Sequence, residues 1–138
     1  METRKKILVT WPGYRHAVID ADQEDLLSQL QRYVCGHIEV VRCAHQWPVL
    51  LGDDLSKHLV AVANEEGLLR MLRLNEVATW VAWYPGILVG PVVFLREGFN
   101  EHGEPDLLPL EAEEAQRLAA LMTLYNVEER EGAPDEPD

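Results

Sequence analysis

The sequence predicts an α+β domain, a mainly antiparallel sheet of about five strands with helices packed on one face. Three observations predict it. The opening strand turns back on itself through Pro12-Gly13, β-branched runs recur at 37–43 and 58–63, and only a few segments carry helical spacing. Read along the chain, the order is β-β-α-β-β-α-β-α.

Lys6 to Trp11 reads as the first strand. Pro12 presets φ and Gly13 tolerates positive φ, so Tyr14 to Ile19 returns as the second strand of a hairpin. Asp20 or Asp22 can cap the next helix, and Glu24 and Asp25 suit its positive end. Leu26, Leu27, Leu30, Tyr33 and Val34 share one face of it, and Gln29 falls on the other. Gly36 is expected to end it in the left-handed conformation. His37 to Cys43 is a strand, Ala44 to Lys57 a long loop, and His58 to Ala63 a strand closed by the turn Asn64 to Gly67. A short helical piece over Leu68–Arg73 is expected next. Asn75 caps a further helix with Val77, Trp80, Val81 and Tyr84 inward, stopped by Pro85-Gly86. Ile87 to Leu95 reads as a buried strand kinked at Gly90-Pro91, because proline cannot donate to a ladder. Asn100 to Pro105 is loop, and Glu111 to Tyr125 an amphipathic helix. The domain is expected to span 1–126, and 127–138, acidic and without periodicity, to be a disordered tail.

The net charge of −12 is unevenly placed. Residues 1–96 carry 11 acidic and 10 basic residues, whereas 97–138 carry 13 acidic residues against Arg117 and Arg130 alone. Phosphate contacts need Lys and Arg, so direct nucleic-acid binding is not expected, nor is attraction to an anionic membrane. No apolar run approaches the roughly 18 residues that span a bilayer. Arg4-Lys5-Lys6 precedes only Ile7-Leu8-Val9, too short for a signal-peptide core, so a cytoplasmic location is expected. Cys35 and Cys43 form no CxxC and no zinc spacing; both are expected as small buried side chains without a disulfide.

The string Gly36-His37-Ile38-Glu39-Val40-Val41-Arg42 resembles a motif of the family catalogued as domain of unknown function 3846. Val60 through Gly67, Asn75 with Ala78-Thr79, Ile87 through Val93, and Leu108 through Leu118 follow in the order of that pattern. The chain departs from it at Arg73-Leu74, where members often carry prolines, and in the length of the 44–57 loop. The resemblance implies an uncharacterised protein of bacteria, phages or mobile elements, some members being joined to anti-restriction modules. It implies no catalytic residues, cofactor or substrate.

Candidate site residues are few. Glu39, Arg42, Asn64 and Glu65 would meet at a sheet end if their strands are neighbours, as a ligand surface or as a salt bridge closing the edge. Asn64 and Gly67 suit a turn. Trp47 and Trp83 are candidates for an exposed aromatic patch that marks a partner or ligand surface, while Trp80 points inward. His37 and Glu39 share a strand face, but a metal needs three or four ligands and no others suggest themselves, so no metal or cofactor is expected. Ser28 and Ser56 lack a nucleophile context, and neither a P-loop nor a G-x-G-x-x-G occurs. The best-supported expectation is a non-enzymatic accessory protein that binds a protein or small ligand. An alternative is an anti-restriction DNA mimic, whose phosphate-like carboxylates would be Glu97, Glu101, Glu104, Asp106, Glu111, Glu113 and Glu114. A third is a small enzyme with a pocket near Glu39 and Asn64. Periodicity leaves monomer and dimer both open.

Overall fold

The structure, a computed structural model, describes residues 4–44, 46–83 and 86–132, with 126–132 as helical backbone alone. Strands β1 (Lys6–Trp11), β2 (Arg15–Asp20), β3 (Ile38–Arg42), β4 (Leu59–Asn64), β5 (Val92–Phe99) and β6 (Pro105–Leu108) form one sheet. Helices are α1 (Leu26–Val34), α2 (Pro48–Leu51), α3 (Asp53–His58), α4 (Glu76–Ala82) and α5 (Ala112–Gly132). The strand order is β2-β1-β5-β4-β3, and every pairing is antiparallel. β6 pairs with the far end of β5, and Lys6 and Leu110 exchange two backbone hydrogen bonds of 2.7 Å, which ties the start of β1 to the entry of α5. The α+β class and the antiparallel sheet are those the sequence predicts.

The placement of the helices differs from the expectation of one covered face. Leu8, Val41, Ala61 and Phe94 point to a core made with α2 to α5, which contributes Leu51, Leu55, Val77, Val81, Leu118 and Met122. Ile7, Val9, Val60, Val62, Val93 and Leu95 point the other way and are covered by Leu30 and Val34 of α1. Continuous rather than alternating apolar residues in β1, β4 and β5 are the physical reason: strands buried on both sides need a cover on both sides.

Several boundaries also differ. The N-cap of α1 is Asp25, whose carboxylate accepts from the Ser28 N–H; Asp22 instead accepts from the N–H groups of Glu24 and Asp25 in the approach. Gln29, expected on the polar face, is buried and donates to the Asp20 carbonyl. The left-handed residue that ends α1 is Cys35 at φ 62°, not Gly36. Gly36 is required for another reason: a Cβ there would stand 2.8 Å from the Asn64 amide nitrogen. Cys35 is therefore exposed, against the expectation that both cysteines are buried. Cys43 is buried, and its burial pushes the thiol pKa up to about 12.

The 44–57 loop contains α2 and α3, the first with Pro48 at its start, where the missing N–H costs nothing. Leu68–Arg73 is a series of turns rather than a helix. α5 continues to Gly132, six residues into the segment expected as a tail, and 133–138 lie outside the described residues. Tyr84 and Pro85 lie outside them too. Among the described residues no helix is long and apolar enough to cross a membrane.

Candidate functional site

The chain between β4 and β5 makes a closed excursion around α4. Leu74 and Val89 bridge its two ends, the Asn75 N–H donates to the Leu88 carbonyl at 2.9 Å, and the Gly90 N–H to the Arg73 carbonyl at 2.7 Å. Asn75 caps α4 as the sequence predicts, its side-chain oxygen accepting from the Ala78 N–H at 3.0 Å. The Thr79 hydroxyl pins the returning strand, donating to the Asn75 carbonyl and accepting from the Leu88 N–H. These bonds hold Leu74 and Ile87, 13 positions apart, as facing walls of one groove.

That groove has a volume of about 700 Å³. Its rings are Trp80, Trp83 and Tyr125, and Glu76 and Thr79 are the polar groups among its described lining. Trp80 lies between two aromatic neighbours, Trp47 at 4.7 Å and Tyr125 at 4.6 Å between ring centroids. Such tilted contacts fix the ring planes. Trp83 ends α4 in the left-handed region at φ 50°, its N–H donating to the Thr79 and Trp80 carbonyls, and leaves 53% of its surface in solvent. The strained backbone of a bulky residue costs about 1 kcal/mol, and it stands at the mouth of the groove.

Of the two tryptophans expected at an exposed patch, Trp83 is exposed and Trp47 is not. Trp47 donates its indole N–H to the Val81 carbonyl at 2.8 Å and props Trp80 from behind, half-buried under α2. An indole N–H needs a partner once it leaves water, and the last turn of α4 supplies one.

Of the four polar residues expected to meet at the β3–β4 end, Glu39, Asn64 and Glu65 come together and Arg42 does not. Glu39 and Arg42 point to opposite faces of β3, because they stand an odd number of residues apart. Arg42 pairs with Glu97 of β5 at 3.1 Å. Asn64 is buried; its amide donates to the carbonyls of Val34 and Cys35 and accepts from the Glu66 N–H, so it anchors the end of α1. Glu39, Asn64 and Glu65 do border one cleft of about 450 Å³, whose other walls include Leu68, Leu69 and Ile87. Ile87 belongs to this cleft and to the aromatic groove, so the two adjoin. Leu74, Tyr125 and Ile87 carried no signal in the sequence as site residues. The exposure of Leu74 and Ile87 reveals these two, and the contact of buried Tyr125 with Trp80 adds the third.

Of the seven carboxylates expected of a DNA mimic, four face cations. Glu97 faces Arg42, Glu111 faces Lys5, Glu113 faces Arg117 and Glu114 faces Arg96. Arg96 also holds Asp54 of α3 at 2.8 Å, and that bond holds the Asp54 carboxyl below its ordinary range. Among the described residues, no group of three or more His, Cys, Asp or Glu side chains could hold a metal.

Fold and groove together define an open antiparallel α+β protein with an aromatic, largely apolar surface groove built on one short helix. Set against known proteins, the chain matches no family model, no curated sequence and no solved structure.

Proposed function

We propose that this is a non-enzymatic accessory protein that holds a partner protein or small ligand in the groove beside α4. The observation that carries the reading is the groove itself: Leu74, Trp83 and Ile87 are exposed around half-buried Trp80, with the buried Tyr125 also in the lining, and solvent-facing apolar surface has no structural use there. The Thr79 hydroxyl in its lining is engaged structurally, donating to the Asn75 carbonyl and accepting from the Leu88 N–H, and among the described residues no hydrogen bond joins it to Glu76. The phage or mobile-element setting belongs to the same proposal and rests on the sequence resemblance alone. The DNA-mimic alternative draws on net charge, and four of its seven carboxylates already face cations.

The test is a pull-down and ligand screen with the whole chain beside Trp83→Asn and Ile87→Asp. Asparagine suits the left-handed backbone at 83. A binder retained by the wild-type protein and weakened at least about tenfold by either variant is expected, since each removes an anchor worth about 1.4 kcal/mol or more. Substrate turnover without any stable binder, or a binder indifferent to both variants, overturns the reading.

A further inference from the structure

Building on that reading, we infer that the groove takes the guanidinium or ammonium group of a basic amphipathic segment presented by a partner protein. The first observation is Glu76. It is half-buried in the groove, and no cation or hydrogen-bond donor among the described residues meets its carboxylate. Elsewhere the half-buried acids are matched: Glu97 by Arg42 and Glu114 by Arg96. A carboxylate set among apolar walls loses hydration, and its position in the first turn of α4 favours its charge. A cation arriving from outside offsets the lost hydration.

The second observation is the rings. A cation is drawn to the face of an aromatic ring, most strongly tryptophan, when the site is partly desolvated. The chain makes one such contact within itself, the Arg15 guanidinium over Trp11 at 5.8 Å. Trp83 offers the same chemistry outward, at the opposite end of α4 from Glu76 and about 10 Å along the helix axis from it.

Continuity argues for a protein segment rather than a small ion. Through Ile87 the groove joins the cleft bordered by Leu68 and Leu69, where Glu39 and Glu65 also lack a cationic partner among the described residues. Acids therefore stand at both ends of an apolar strip, and Leu68 and Leu69 are 65% and 84% exposed on it. A segment with aliphatic residues on one side and basic residues flanking them matches that alternation. The chain's own nearby arginines do not serve these acids: Arg70 donates to the Cys35 carbonyl at 3.0 Å, and among the described residues no ion pair joins Arg70 or Arg73 to Glu39, Glu65 or Glu76.

The experiment titrates the whole protein with a synthetic amphipathic peptide, leucines on one helical face and arginines on the other, followed by tryptophan fluorescence. Comparisons are the same peptide with glutamates for arginines, and free arginine amide. The arginine peptide is expected to bind, more weakly as salt rises. Glu76→Gln and Trp83→Asn should each weaken it about tenfold, while Glu101→Gln, an exposed carboxylate on the β5–β6 turn, should change it less than about twofold. Circular dichroism confirms that each variant is folded. Equal weakening by Glu76→Gln and Glu101→Gln would mean attraction by bulk charge and overturns the inference. Free arginine amide binding as tightly as the peptide overturns the assignment to a protein segment. If both peptides bind alike and Trp83→Asn weakens both, the preference for a cation falls while the binding groove stands. If neither peptide binds but a captured partner depends on Trp83, the inference likewise falls alone.

Discussion

Asn75 is completely buried, and its side-chain amide meets groups from three parts of the chain. The nitrogen donates toward the Thr10 hydroxyl at 3.0 Å, the Gly90 carbonyl at 2.9 Å and the Thr10 carbonyl at 3.3 Å, while the oxygen caps α4. Asn75→Ala is expected to cost about 2–3 kcal/mol, a lost cap plus unsatisfied buried carbonyls. Asn75→Asp should cost more, because it keeps the cap but turns a buried charge toward two carbonyl oxygens and a Thr10 hydroxyl whose proton already goes to the Val92 carbonyl. Urea denaturation checks both, and a loss below about 1 kcal/mol for either would mean that water replaces the amide. The cap itself was readable from the sequence, since Asn before an apolar-periodic stretch is a common helix start. The bonds to Thr10 and Gly90 were not, because they depend on β1 passing beside the excursion. Glu39 and Arg42 give the opposite lesson. Their separation was readable from strand parity alone, and grouping them by polarity obscured it.

At the scale of elements, Arg96 joins β5 to α3 through Asp54 and to α5 through Glu114. Burial alone would lower its pKa, but the two carboxylates more than offset that. Glu114 also accepts from the Glu111 N–H at 2.9 Å, closing the first turn of α5. Arg96→Met is expected to destabilise by about 1–3 kcal/mol, chiefly by stranding the largely buried Glu114 carboxylate. Adding Glu114→Gln should recover part of the loss, because the neutral amide keeps the hydrogen bond to Glu111 and needs no cation. Denaturation midpoints of the single and double variants decide; strictly additive losses would deny the coupling. None of this network was visible in sequence, where Asp54, Arg96 and Glu114 are far apart. α1 and α5 were visible because they are long enough to show period. α2 and α3 were not: one turn of helix has no periodicity to read, and its glycine and proline look like loop.

For the whole molecule, acid acts in two stages. Burial lowers the pKa of His16 on β2 below its usual 6.5, so the folded protein prefers the neutral ring and the unfolded chain binds the proton more readily. Stability is then full above that value and declines as pH falls through it. Asp20, Asp25 and Asp54 lie below the ordinary 3.8, held by Lys6 and Arg4, by Ser28, and by Arg96 respectively. Their contribution persists above 3.8 and is lost at lower pH as each is protonated in the fold. The urea midpoint should fall first between about pH 7 and 5 and again below about pH 4. His16→Gln should abolish the first fall and spare the second; a first fall that survives the substitution rules His16 out as its source.

The strand order also sets when the protein can fold as it is made. β1 is made just before β2 and can close one flank with it at once. Its other flank waits for Val92–Phe94, and Lys6 waits for Leu110. Ile7 and Val9 can meet Leu30 and Val34 of α1 soon after the hairpin forms, whereas Leu8 waits for the core of the other face. Leu8 thus stays open to chaperones until the helices after β3 are made.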